Sequence, residues 1–205
     1  MKKLNLVLAA AVLSLAGSPV AAQVNLPASY EFLKAVRDRD GNKVMQLLDS
    51  GPGNLINTRD GGETALNVVV GRRDDTWTAF FLSRGADPNL AGKTGDTPLI
   101  VAARIGFADG VERLLKAGAR VDTANRMGET ALIAAVQQRR TDVVRALLEA
   151  GANPDKTDTA AGLSAREYAA RDNRSRDILA LIEAKPKKAA AKVEKADKID
   201  DFKLK

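Results

Sequence analysis

Between residues 64 and 155 the chain repeats one arrangement of apolar and polar positions three times. The copies begin at Thr64, Thr97 and Thr130, 33 residues apart, and each contains an apolar stretch, a polar break and a second apolar stretch. Glycines close the copies at the same interval, at Gly85, Gly118 and Gly151. This pattern predicts a helix, a turn, a second helix and a loop in every copy.

The residues at the predicted helix ends support this interpretation. A threonine hydroxyl at a helix N-cap accepts a hydrogen bond from a free backbone N–H, and Pro98 occupies a first helical position, where no N–H is needed. The closing glycines suit the left-handed position after a helix. In the central unit we expect both Leu114 and Leu115 to be buried, and we expect truncation of Ile182, in the last unit, to cost less.

Weaker copies of the pattern flank the three clear ones. Residues 32–36 and 44–48 match the two helices upstream, and residues 164–170 and 178–182 match them downstream. Terminal units of a repeat array usually differ from internal ones because one of their faces meets water. We therefore count five units between about residues 28 and 184.

These units resemble ankyrin repeats. The family's T-P-L-H turn corresponds to residues 97–100, 64–67 and 130–133, and its G-A-D-x-N loop corresponds to residues 85–89. The resemblance implies an all-α ankyrin-repeat solenoid of about five helix-turn-helix units with β-hairpin loops, capped at both ends. It also implies a non-catalytic scaffold for a protein partner. The turn histidine, which ties adjacent repeats in the family, is absent, so we expect weaker coupling, with Asn67 as a partial substitute.

The first 22 residues have the pattern of a bacterial signal peptide. Lys2 and Lys3 precede an uncharged apolar stretch over residues 4–16, and Val20-Ala21-Ala22 gives a small-residue cleavage site. A retained anchor is disfavoured because the apolar stretch falls short of the ~20 residues that a spanning helix needs. We expect cleavage after Ala22, a periplasmic protein and no later transmembrane segment. The predicted organisation is a signal peptide (1–22), a linker (23–27), an ankyrin repeat domain (28–184) and a Lys-rich disordered tail (185–205).

The positive charge of the chain lies mostly in that tail. The net charge is +6, of which the signal peptide carries +2 and the tail +4, because eight lysines there face four acidic residues. Residues 23–184 are therefore neutral overall, which argues against a nucleic-acid-binding domain. The tail is expected to be solvated. Its alternative is a weak docking arm for an anionic surface, with Ile199, Phe202 and Leu204 as apolar contacts.

The residue types exclude most catalytic and metal chemistry. The chain contains neither His nor Cys, so it lacks the side chains of a Ser-His-Asp set, a Cys-His set or an ordinary structural zinc site. The acidic pairs Asp38/Asp40 and Asp74/Asp75 are interpreted as residues of exposed turns, and Asp60 with its two glycines as a hairpin tip. We expect no enzyme activity, no metal and no cofactor.

Aligning the units predicts a row of partner-binding residues, which we call the ridge, near the ends of the first helices. Its members are Arg37, Arg72, Arg104, Gln137, Gln138 and Arg171. Lys93 and Arg126, at neighbouring hairpin tips, extend it. If the ridge binds, its protein partner should present an acidic strip, because guanidinium groups hold carboxylates in bidentate fashion. The alternative is that arginine is simply a good exposed helix former.

We expect a monomer that binds a protein partner in the periplasm. The alternative function is an envelope-associated structural or protective factor, held to an anionic surface by the basic tail. A third hypothesis is an effector or toxin antagonist that is exported onward.

Overall fold

The structure is a computed structural model that describes residues 27–51 and 53–184. The predicted signal peptide, nearly all of the linker and the predicted tail lie outside these residues. The described residues form ten α-helices, two short 3-10 turns and no strand. None of these helices is long and apolar enough to cross a membrane.

The helix bounds follow the predicted alternation of apolar stretches and turns. The helices are α1 (Ala28–Asp38), α2 (Gly41–Ser50), α3 (Ala65–Gly71), α4 (Asp75–Ser83), α5 (Pro98–Ile105), α6 (Ala108–Lys116), α7 (Ala131–Gln137), α8 (Thr141–Glu149), α9 (Ala165–Arg171) and α10 (Arg176–Glu183). The 3-10 turns cover Leu55–Asn57 and Asn173–Ser175.

Successive helices pair into five units, and the units stack into two layers. The odd-numbered helices α1 to α9 pack side by side in one layer, and α4, α6, α8 and α10 do so in the other. The buried apolar residues form one continuous core through the stack. Stacking is needed because a single unit of this size could not bury its apolar face alone. The predicted all-α solenoid of five units is confirmed.

The first helices begin where the sequence predicts. The hydroxyls of Thr64, Thr97 and Thr130 each accept a hydrogen bond from the backbone N–H three residues later, at 3.1 to 3.3 Å. Ser164 opens α9 with a reciprocal capping box to Glu167. These side chains satisfy donors that a helix start leaves without a partner within the helix.

Burial in the second helices differs from the prediction. Leu114 is 0% exposed, whereas Leu115 is only partly buried. Consecutive helical residues point about 100° apart, so two neighbours cannot face the core equally. Ile182 in the last unit is 1% exposed. Its burial therefore gives no reason to expect that it contributes less to stability than a leucine of the central unit.

The loops between units differ from the β-hairpins that the sequence predicts. Within the described residues they are tight turns that contain isolated β-bridges, for example between Asp60 and Glu63, and no strand. Gly62, Gly95 and Gly128 lie at their tips with φ of 84°, 86° and 74°, where other residues are strained. A Cβ at Gly95 would lie 3.0 Å from the backbone nitrogen of Arg126. Each tip therefore packs directly against the next, which fixes the loops relative to one another.

Adjacent units are joined by hydrogen bonds that need no histidine. Asn67 Nδ2 donates to the carbonyl of Asp96, directly before the next first helix, at 3.2 Å, so Asn67 does connect neighbouring units. The loops add a second series, in which Asn57 Nδ2 donates to Gly85 O at 3.1 Å and Asn89 Nδ2 to Gly118 O at 3.2 Å. These contacts supply coupling where the family's histidine is missing.

Candidate protein-binding surface

The six ridge residues lie at the carboxyl ends of the first helices, in the places that the alignment predicted. Their side chains are used differently along the stack. Arg37, Arg72 and Arg104 donate hydrogen bonds to atoms of this same chain, and Gln137 is hydrogen-bonded to Tyr168. Gln138 and Arg171 are exposed toward the carboxyl-terminal end of the stack. The ridge is therefore not a uniform row of free cations.

Arg37 and Arg72 connect the first two units. Arg37 Nη1 donates to Asp60 Oδ2 at 3.2 Å, at the next hairpin. Arg72 donates to the carbonyls of Val36 and Arg37 at 3.1 and 2.7 Å. Those carbonyls lie at the end of α1, where helical carbonyls lack partners within the helix and where the helix dipole favours a cation. Arg72 thus caps the neighbouring helix.

Arg104 is the centre of a polar cluster between the third and fourth units. Its guanidinium donates to both carboxylate oxygens of Asp96, at 2.9 and 3.0 Å, and to Glu129 Oε2 at 2.6 Å. Asn125 Nδ2 donates to the same two acids at 2.7 and 3.0 Å, and the Thr94 hydroxyl to Asp96 at 2.8 Å. Since Asp96 precedes α5 and Glu129 precedes α7, the cluster ties two units together.

The pKa values of the cluster reflect this geometry. Burial by itself raises the pKa of Asp96, but hydrogen bonds from Arg104, Asn125 and Thr94 outweigh burial and hold that pKa at about 2, against an ordinary 3.8. The hydrogen bond to Asp96 in turn raises the pKa of Arg104. Drawing Arg104 away toward a partner would leave two partly buried carboxylates beside each other, so this arginine is held mainly by its own chain.

Gln137, Gln138 and Arg171 are exposed toward the carboxyl-terminal end of the stack, and Arg72 is exposed near its other end. Gln137 and Gln138 end α7, and Arg171 ends α9. Arg171 forms no salt bridge with any residue in the described part of the chain. Gln138 and Arg171 can contact a partner without breaking a described link between units, whereas the Gln137 side chain is hydrogen-bonded to Tyr168 on α9 of the next unit.

Lys93 and Arg126 lie at successive hairpin tips, together with a third cation that the sequence interpretation missed. Arg59, Lys93 and Arg126 are all exposed and line one open cleft of about 430 Å³ across three tips. The 33-residue repeat aligns Lys93 with Asp60 and not with Arg59. Alignment by spacing alone therefore does not identify Arg59. Listing every cation within one residue of the tip positions would have found it.

The acidic pairs have structural partners. Asp40 and Asp74 cap α2 and α4 by accepting hydrogen bonds from backbone N–H groups. Asp38 is paired with Lys34, and Asp75 with Arg113. Over the ranges that the structure describes, no three acidic side chains converge in a way that could hold a metal ion. The arrangement can present polar and cationic groups to a partner.

Comparison with known proteins agrees with this architecture. The family model described as Ankyrin repeats (3 copies) matches residues 32–158, more than half of the chain. The human 2-5A-dependent ribonuclease is 36% identical over 78 residues, which cover 38% of this chain and 10% of that protein. The chain therefore spans only about a tenth of that relative, within its own repeat region. The chain belongs to the ankyrin-repeat family.

Proposed function

We propose that this protein is a non-catalytic scaffold that holds a protein partner on the surface formed by its first helices and hairpin tips. Ankyrin repeats generally mediate protein–protein interaction. The observation that carries the proposal is the stacked row of loop tips, whose direct contacts hold exposed polar side chains in fixed positions. A pre-organised surface loses little conformational freedom on binding, which favours affinity.

The proposed partner carries an acidic strip, because the exposed side chains of this surface include unpaired cations at the tips. The body of the protein, residues 23–184, is neutral overall. Electrostatic attraction to the partner would therefore come from a local cationic surface. Such a surface affects the orientation of the bound partner and its association rate more than its total affinity.

The proposed site of action is the bacterial periplasm. This part of the proposal is supported by the two lysines, the short apolar stretch and the Ala-Ala cleavage site of residues 1–22. Intact-mass measurement of the protein purified from cells should give a chain beginning at Gln23, and osmotic release should place it in the periplasmic fraction. A soluble cytosolic protein that retains residues 1–22 would contradict this localisation.

Site-specific crosslinking in cells tests the scaffold proposal. A photo-crosslinking residue at Gln138, exposed at the end of a first helix, should capture a defined protein that mass spectrometry identifies. The matched control is the same residue at Arg145, exposed on α8 in the other layer, which should not capture it. Equal capture from both positions, or none from Gln138, would contradict a binding surface on the first helices.

Deletion of residues 185–205 separates this proposal from the alternative of an envelope factor held by its basic tail. A scaffold that binds through the repeats should keep its crosslink at Gln138 after the deletion. A factor held by the tail should lose its attachment to membranes or wall polymer.

A further inference from the structure

In the described part of the chain, the hairpin tips hold a cluster of three cations that no salt bridge of the fold uses. Arg59, Lys93 and Arg126 line one open cleft whose other lining residues are glycine and alanine. No carboxylate lines it, and none of the three cations forms a salt bridge within the described residues. Within the described residues, the one side-chain hydrogen bond that these cations donate runs from Arg59 Nε to the carbonyl of Ala91, at 3.2 Å.

The positions of these cations are set by tip-to-tip packing. A Cβ placed on Gly62 would lie 3.1 Å from the Cα of Lys93, and a Cβ placed on Gly95 would lie 3.0 Å from the backbone nitrogen of Arg126. Backbone atoms on both sides of each contact leave little room for the tips to shift. The cations therefore project from a fixed frame with one tip per unit.

Three of the four ridge arginines are much less available than these tip cations. Arg37, Arg72 and Arg104 each donate two or more hydrogen bonds to acceptors within the protein. A partner's carboxylate would have to displace those acceptors, whereas among the described residues the tip cations have one protein acceptor, the carbonyl of Ala91. The tips are thus the better place for recognition of an acidic partner.

The spacing of the tips fixes the kind of partner. Packed helices lie about 8–10 Å apart, so successive tips advance by about that distance. A peptide in the extended polyproline II conformation rises ~3.1 Å per residue with three residues per turn, so every third side chain points the same way and about three residues span one unit. Carboxylates spaced in this way can meet the three cations in turn.

We infer that the cleft lined by Arg59, Lys93 and Arg126 binds an extended acidic peptide segment whose carboxylates recur about every third residue. The inference rests on the proposed scaffold function and names the chemistry of its partner. Met127, 57% exposed directly beside Arg126, offers an apolar contact at one end of the segment. Three cations on a neutral body favour a short acidic peptide over nucleic acid, which is usually bound by a broad basic face.

Peptide binding to the full mature chain tests this inference. Fluorescently labelled 12-residue peptides would carry three aspartates either every third residue or in one consecutive run, with the same composition. The spaced peptide should bind at least fivefold more tightly than the clustered one, and binding should weaken with added salt. Equal affinity for the two peptides would overturn the proposed spacing.

Charge-matched variants locate the site. Combined replacement of Arg59, Lys93 and Arg126 by Gln should lower affinity for the spaced peptide at least tenfold. It should shift thermal unfolding only slightly, because the one described hydrogen bond that is lost runs from Arg59 to the Ala91 carbonyl. The control replaces Lys116, Arg145 and Arg176, exposed cations on second helices, by Gln, and should change affinity less than twofold. An equal loss in both triple variants, or tighter binding of an oligonucleotide of the same charge at the same residues, would overturn the inference.

The cellular crosslink separates failure of this inference from failure of the scaffold proposal. If the tip variant still captures the same protein from Gln138, the scaffold proposal stands and the acidic-segment inference fails. If the unmodified chain captures no protein from Gln138, the scaffold proposal fails whatever the peptides do.

Discussion

Replacing Arg104 by Gln tests whether a residue of the predicted ridge serves chiefly to join repeats. The side chain of Asp96 is 11% exposed and that of Arg104 is 36% exposed, so their pair lies between a surface and a buried ion pair. The fall in the pKa of Asp96 from 3.8 to about 2 corresponds to ~2 kcal/mol if all of it acted on folding. Asn125 and Thr94 supply part of that fall, and solvent screens the guanidinium. We therefore expect Arg104→Gln to lower the free energy of unfolding by about 1–2 kcal/mol.

The pair of Asp96 and Arg104 should make the stability difference between the unmodified chain and Arg104→Gln depend on pH. Because the pKa of Asp96 is lower in the folded than in the unfolded chain, its stabilising contribution is fully present above about pH 4. It is lost as the pH falls from about 4 toward about 2, where the folded carboxyl is protonated. The gap between the unmodified chain and Arg104→Gln should therefore be widest near neutral pH and narrow below pH 4.

Urea unfolding followed by circular dichroism measures both effects. Arg171→Gln is the matched control, since it removes an exposed arginine at the end of α9 that has no salt bridge with a described residue. Arg104→Lys should fall between the unmodified chain and Arg104→Gln, because lysine keeps the charge and loses the bidentate geometry. If Arg104→Gln and Arg171→Gln are equally stable at pH 7, or if the gap persists unchanged at pH 3, Arg104 is not a link between units.

Five further substitutions test packing and coupling by the same urea unfolding. Leu114→Ala should cost about 2–5 kcal/mol because it leaves a cavity in the core, and Leu115→Ala should cost clearly less; equal losses would contradict the observed burial. Gly128→Ala should destabilise the protein more than Gly151→Ala. Both glycines have positive φ, but only at Gly128 would an added Cβ lie 2.7 Å from a backbone nitrogen. A smaller loss of stability at Gly128 would refute the packing of one tip against the next. Asn67→Ala should cost about 1 kcal/mol, and no measurable loss would show that its bond to the next unit contributes nothing.

Much of the fold could be predicted because the repeat supplies the same local signals several times. The capping threonines, Pro98 and the closing glycines specify helix ends through hydrogen bonds and φ angles that depend on a few neighbouring residues. The sequence could not predict which of Leu114 and Leu115 is more deeply buried. A helix of nine residues with two adjacent leucines can rotate about its axis to point either one at the core. Contacts with the neighbouring units decide that rotation.

The candidate site was harder to predict because it depends on contacts between units. The alignment placed Arg104 on the ridge, but its acceptors Asp96 and Glu129 lie 8 and 25 residues away and come together only when two units stack. The register did contain a signal, since Glu63, Asp96 and Glu129 put an acid directly before each capping threonine. Comparing charges across neighbouring units would have indicated that this arginine has partners of its own.

Some cations on this surface hold neighbouring units together, and others make no salt bridge with a described residue. Only variants of the second kind can measure partner binding without also weakening the stack. Combined replacement of Arg72, Arg104 and Arg171 removes the cap on α1 and the centre of the Asp96 cluster along with one free cation. A loss of binding in that variant would combine weakened stacking with lost recognition. Arg59, Lys93, Arg126 and Arg171 have no salt bridge to lose within the described residues. Substitutions at Lys93, Arg126 and Arg171 change the surface charge without removing a described link between units, and substitution at Arg59 removes only its hydrogen bond to the Ala91 carbonyl. A loss of binding in variants that unfold like the unmodified chain can therefore be assigned to the partner contact itself.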